Sequence, residues 1–184
     1  MVIRFVSNNQ CKIEEVNSVL QENQVEVKSV KIKIEEIQTD NLDYLVRDKA
    51  LKAFKMLGRP LFVEHTGLYI EKINQMPGGL TQVFWDKLQA DRFSELFGGG
   101  IGESKAKSVT VIGYIDGKRF YSFKGEITGS IISPPRGNKN FQWDCIFVPD
   151  GENETFAEMG ERKNDISMRR KALQLFSDYL KKSK

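Results

Sequence analysis

Cysteine is scarce: Cys11 and Cys145 are the only two in 184 residues, and they form no metal-type spacing. Histidine is scarcer, with His65 alone. Long apolar runs are missing, and no signal-peptide pattern is visible. The expectation is therefore a soluble chain in a reducing, cytoplasmic setting with no membrane partner. Charge of one sign is not in excess either. Lys and Arg number 28 against 25 Asp and Glu, a net +3, which suits anionic ligands but provides no basic stripe for nucleic acid. Repeats and low-complexity tracts are absent. Aromatics, by contrast, are plentiful, with 12 Phe, 5 Tyr and 2 Trp, and hydrophobic residues reach 40%. A packed core follows, in one domain over residues 1–184 or one domain with two lobes.

The apolar spacing predicts strands interleaved with helices. Val2 to Val6 reads as a strand, and Ile13, Val16, Val19 and Leu20 place a helix over about Gln10 to Gln21. Val25 to Ile34 alternates as a strand with one wet face. Leu42 to Leu57 carries a helical stripe ended by Gly58-Arg59-Pro60, and a short buried strand begins at Leu61 to Val63. MPGGL, Met76 to Leu80, reads as a turn, and Phe84 to Leu96 as helix. Gly98 to Gly102 is a connector, because no Lys-Ser/Thr follows at the phosphate-loop offset. Asp116-Gly117 between Val109–Ile115 and Arg119–Lys124 marks a hairpin. Ser133 to Asp144 is a loop, Cys145 to Val148 a short strand, and Ile166 to Leu180 a closing helix. The class is mixed α/β.

Polar residues collect at predicted element ends. Ser7-Asn8-Asn9 stands before a helix bearing Lys12, where free N–H groups favour an anion. Plain helix capping explains the same residues equally well. Lys49 flanks the stripe of its helix, either aimed along a cleft or solvated. Glu35, Glu36, Glu64 and His65 follow strands and include groups able to help hold a metal. Phe141, Trp143 and Asp144 can stack and read a base, or the two rings can belong to the core.

The order of all these features resembles the inosine/xanthosine triphosphate pyrophosphatases, over nearly the whole chain. The family's Thr-Gly-Asn-x-x-Lys-x-x-Glu stands here as Ser7-Asn8-Asn9-Gln10-Cys11-Lys12-Ile13-Glu14-Glu15. Its Lys-Ala pair is Lys49-Ala50, and its acidic-Asp-Thr/Ser-Gly-Leu motif is Glu64-His65-Thr66-Gly67-Leu68, followed by Pro77-Gly78. Phe141-Gln142-Trp143-Asp144, Thr155 to Met159, Lys163 and Ser167-Met168-Arg169 complete the match. The resemblance implies a two-lobed mixed α/β fold with a long twisted mixed sheet flanking a central nucleotide cleft, usually as a homodimer. It implies hydrolysis of deaminated purine nucleoside triphosphates to monophosphate and pyrophosphate with Mg²⁺, Mn²⁺ or another transition metal serving as alternatives. Carried over, Ser7, Asn9, Lys12, Lys49 and Lys163 hold the triphosphate. Glu36, Glu64 and His65 hold the metal. Phe141 stacks on the base, and Trp143, Asp144 and Arg169 read it beside Met168. Lys12 also belongs to the catalytic set, with Glu15 organising the water or the lysines.

The chain departs from the family at several of these places. His65 replaces an aspartate and offers a general base or a transition-metal ligand instead of a hard oxygen. Met168 replaces a histidine, Gln142 and Asn8 replace glycines, and a basic residue near Gln82 and Val83 is missing. Two readings follow: an active pyrophosphatase, or a nucleotide-binding sensor or regulator with weakened turnover. The retained phosphate lysines favour the enzyme.

Overall fold

The structure is a computed structural model that describes residues 2–182. Seven strands form one mixed sheet in the order β2-β1-β3-β5-β6-β7, with β4 pairing onto β3. Strand β1, Val2–Val6, runs parallel to β2, Glu26–Val30, and to the start of β3, Leu61–Ile70. Parallel neighbours need crossover connections. Helices α1, Gln10–Glu22, and α2, Leu42–Leu57, lie on the two connections. The remaining pairs are antiparallel. They join β3 to β4, Met76–Gly78, and to β5, Lys105–Ile115, then β5 to β6, Phe120–Ile131, and β6 to β7, Phe147–Pro149.

Side-chain alternation sorts the core. After two short helices, α4, Phe156–Met159, and α5, Lys163–Ile166, comes the last helix, α6, Met168–Lys182, and Phe62 faces it and α1 in a cluster with Phe5, Val16, Leu20 and Phe176. Leu61 and Val63 face the opposite way, onto Leu45, Val46, Ala50 and Ala53 of α2. A third cluster gathers Trp85 and Phe93 of α3, Thr81–Phe97, with Leu68, Ile131, Trp143 and Phe156. Helix α6 lies directly on β6, where a Cβ on Gly125 would collide with the Met168 carbonyl oxygen.

Several boundaries differ from those the sequence suggests. Strand β3 does not stop at Val63 but continues through Glu64 and His65 to Ile70, paired with β5 from Leu61↔Ile115 to Ile70↔Ala106. The polar pair therefore lies inside a strand, not after one. Strand β2 ends at Val30, and residues 31–39 run on without helix or strand. Met76–Gly78 forms β4 instead of a bare turn. Helix α3 starts earlier, at Thr81, and is broken at Gln89, with φ 54 and ψ −179. Cys145 and Ile146 belong to a 3₁₀ turn, Gln142–Ile146, that precedes β7.

One topological detail opens the site. On one edge of β3, β1 pairs only with Leu61 and Phe62, while β4 pairs only with residues from Leu68 onward. Val63 to Gly67 therefore have no strand on that side among the described residues, and the chain leaves β1 there through Ser7-Asn8-Asn9. Ligands of open α/β sheets bind in such crevices beyond the carboxyl ends of strands. Among the described residues no helix is long and apolar enough to cross a membrane.

Candidate functional site

The gap beside β3 is a cavity of about 240 Å³. Ser7, Asn9 and Lys12 wall it on one side, Glu36 and Lys49 on another, and Glu64 and His65 form its base. Asn9 caps α1, its Oδ1 accepting from the Lys12 N–H at 3.2 Å, and Ser7 Oγ accepts from the Asn9 N–H at 3.2 Å. The capping reading of this turn is thus realised in the structure, and the same turn faces the cavity. Lys49 is not a solvated lysine. Its ammonium meets Glu36 Oε1 at 2.6 Å and donates to the Glu64 carbonyl oxygen at 3.4 Å.

Strand alternation explains how two adjacent polar residues serve two sets of partners. Glu64 shares a face with Phe62, toward α1 and α6. There it meets Lys12 Nζ at 2.5 Å and accepts from Arg169 Nε at 3.0 Å. Arg169 Nη1 donates in turn to Glu15, and Ser167 Oγ donates to the other Glu15 oxygen at 3.4 Å. His65 turns the opposite way, toward α2, and its Nδ1 stands 3.4 Å from Glu36 Oε2.

Burial and charge set the protonation states. Burial alone would raise Glu64, but the Arg169 and Lys12 charges overcome it and hold the carboxyl well below the usual range. Glu36 is likewise raised by burial, yet His65 and Lys49 bring it down to about 2. Burial lowers Lys12, and Arg169 and Lys49 add to that effect against the pull of Glu64. His65 is lowered chiefly by burial and further by Lys12 and Lys49, with Glu36 opposing, so its imidazole is neutral near pH 7.

A second cavity, about 480 Å³, opens on the other side of the Glu15–Arg169–Glu64 chain. Glu15, Phe141, Asp144 and Lys163 line it. Lys163 is buried, with its ammonium 2.6 Å from Asp144 Oδ2 and 4.4 Å from the centre of the Phe141 ring. Burial raises Asp144, and Lys163 only partly offsets this. The segment feeding Lys163 into place begins with a capping box. Thr155 Oγ1 accepts from the Glu158 N–H, and Glu158 Oε2 accepts from the Thr155 N–H.

The residues singled out from sequence divide between these two places. Ser7, Asn9, Lys12, Lys49, Glu36, Glu64 and His65 share the first cavity, and Glu15, Phe141, Asp144 and Lys163 the second, so Lys163 stands apart from Lys12 and Lys49, with which the resemblance groups it. Arg169, which the resemblance assigns to reading the base, is buried outside both cavities and links them through Glu15 and Glu64. Trp143 and Met168 line neither cavity and pack in the apolar cluster behind the loop, with Trp143 edge-on to Phe147. Two wall residues were not picked out as binding groups. Gln82 and Gln142 border the first cavity and hydrogen-bond to each other at 2.5 Å. Gln142 has φ 41, a left-handed backbone that glycine favours, and the glycine that the resembled family carries at this position is the signal for it.

As metal donors, the groups here are hard oxygens with one imidazole. Among the described residues no three His, Cys, Asp or Glu side chains converge as a metal-holding group. Glu64 Oε1 is a buried carboxylate oxygen paired with Lys12 Nζ at 2.5 Å, so a cation gains it only as a phosphate draws that lysine away. An oxygen of this kind fits a cation held by one or two carboxylates together with substrate phosphates, and no all-protein cage is formed.

Residues 3–179 match the family model described as the Ham1 family. The chain belongs to the Ham1 family. It is 37% identical over 183 residues to the dITP/XTP pyrophosphatase of Methanopyrus kandleri, covering 98% of this chain and 97% of that protein. It is 34% identical over 184 residues to the dITP/XTP pyrophosphatase of Thermococcus kodakarensis, covering 100% and 99%. The HAM1 protein of Coxiella burnetii shares the fold, with a TM-score of 0.81 at 24% identity over 99% of each chain.

Proposed function

We propose that this protein hydrolyses non-standard purine nucleoside triphosphates to the monophosphate and pyrophosphate in a metal-dependent reaction. The observation that carries this reading is the convergence of Lys12 and Lys49 with Glu36, Glu64 and His65 in one cavity at the open edge of β3. The Ham1 relatives named dITP/XTP pyrophosphatases support the substrate class.

Phosphoryl transfer depends on positioning and on neutralising oxygens where charge develops. Lys12 and Lys49 are both engaged by carboxylates, so binding a triphosphate exchanges those partners for phosphate oxygens. Glu36 and Glu64 would then hold Mg²⁺ jointly with the phosphates, and the cation would supply the positive charge the balanced side chains lack. His65, neutral through burial, keeps a ring nitrogen free to take a proton from the attacking water. Glu15 fixes Arg169 and through it Glu64. In the second cavity Phe141 offers a ring face to the base. The Lys163–Asp144 pair matches a purine that presents a keto oxygen to a cation and an N–H to a carboxylate. Trp143 and Met168 support that loop from the core.

The test is a panel of ITP, XTP, dITP, GTP and ATP with Mg²⁺ or Mn²⁺. Pyrophosphate, not orthophosphate, is the expected product, with 6-keto purines preferred over ATP. His65→Asp, which restores a hard oxygen, is expected to raise the Mg²⁺-dependent rate. A second reading, a nucleotide sensor with little turnover, is favoured by His65 itself and by the ionic saturation of Glu64. Nucleotide bound by calorimetry, with no pyrophosphate from any triphosphate under either metal, selects that reading.

A further inference from the structure

We propose that Gln142 is a triphosphate-binding residue whose side-chain amide is parked on Gln82 until the phosphates arrive. This rests on the reading of the first cavity as the triphosphate site. Gln142 holds φ 41, where a residue with a Cβ is disfavoured and glycine is at ease. Backbone strain of this kind persists where the surrounding structure dictates it, and it concentrates at ligand sites. Here it lifts a long amide out of the loop to the wall of the cavity that holds Lys12, Lys49 and Glu64. The amide donates from Nε2 to Gln82 Oε1, 2.5 Å away near the start of α3, in a bond exposed to solvent.

A neutral bond exposed to water is easily exchanged, and the same N–H donates more strongly to an ionised phosphate oxygen. The preceding residue, Phe141, walls the second cavity, so the amide stands where a nucleotide occupying both cavities would pass its phosphates. Gln142 therefore adds a neutral donor to a cavity whose cations are already engaged by carboxylates.

Calorimetric titration with inorganic tripolyphosphate tests this in the full chain. Gln142→Gly and Gln142→Ala are each expected to bind about tenfold more weakly than wild type. Gln142→Gly should keep a thermal midpoint at or above that of wild type, because glycine suits this φ. Gln82→Ala frees the amide without removing it, and is expected to bind at least as tightly as wild type. Unchanged affinity in both Gln142 variants overturns the proposal, as does equal weakening in the Gln82 variant, which would make the pair a structural closure. Lys12→Ala separates the two levels of the argument. If it leaves tripolyphosphate affinity unchanged, the cavity is not the phosphate site and both readings fall. If it abolishes binding while the Gln142 variants bind as wild type, only the role of Gln142 falls.

Discussion

Lys163 is a cation taken almost wholly out of water, held between a carboxylate and two aromatic rings, Phe141 and Phe156. Removing one partner of such a pair leaves the other charge buried alone, at a cost of about 3–5 kcal/mol. Lys163→Met is expected to lose that much stability at neutral pH, read by urea unfolding. The pH dependence has a definite sign. Asp144 is already raised by burial, and losing the Lys163 charge raises it further. A carboxyl raised in the folded state contributes stability below its unfolded value, and that contribution is lost as pH rises through the folded value. The deficit of Lys163→Met should therefore shrink as the solution is acidified. The double variant with Asp144→Asn should recover much of the loss at neutral pH, since no buried charge remains there.

The helices show how a local signal and a functional site coincide. Asn9 and Asn41 cap α1 and α2, and Gly58 closes α2 in a left-handed conformation, all from residue types that name their own positions. Asn9 also faces the cavity, and two substitutions separate its roles. Asn9→Ala is expected to cost about 1 kcal/mol of stability by losing the cap. Asn9→Asp keeps the cap, so stability by thermal melting should hold while tripolyphosphate affinity falls, because a negative charge then faces the phosphates. Other elements were legible only in part. The Asp116-Gly117 turn reads directly, with Asp116 Oδ1 accepting from the N–H groups of Lys118 and Arg119. The continuation of β3 through Glu64-His65-Thr66 does not, because those residues look like the end of a strand. They are tolerated inside one since β5 satisfies the backbone and helix-borne charges satisfy Glu64. The early start of α3 is also set from outside. Thr81 Oγ1 accepts from the Leu68 N–H and donates to the Gly78 carbonyl oxygen.

At the scale of the molecule, the charge network joins segments far apart in sequence: α1, the 31–39 segment, α2, β3 and α6 all meet at Glu64 and His65. A ligand that binds this assembled state and not the unfolded chain must stabilise it. Tripolyphosphate at about one hundred times its dissociation constant should add roughly 2.7 kcal/mol, or roughly 5–11 °C in thermal midpoint for a chain of this size. Lys12→Ala should abolish the shift, and scanning fluorimetry reads both. Much of this is legible in the chain itself: the mixed α/β class from alternating periods, the capped helices, and the likeness to a pyrophosphatase family carried by Asn9, Lys12, Glu15 and Lys49 at their spacings. Periodicity and capping are local physics, so a sequence states them outright. Which charge pairs with which is not local. The order of residues alone states which lysines, carboxylates and single histidine are present, but it suggests Glu64 and His65 after a strand when they lie inside one. Tertiary packing settles that Glu64 and His65 look to opposite faces of β3, that Trp143 is core, and that Gln142 bridges to Gln82. Those outcomes depend on how far β3 runs and where β1 and β4 leave its edge, and strand pairing across the chain sets both.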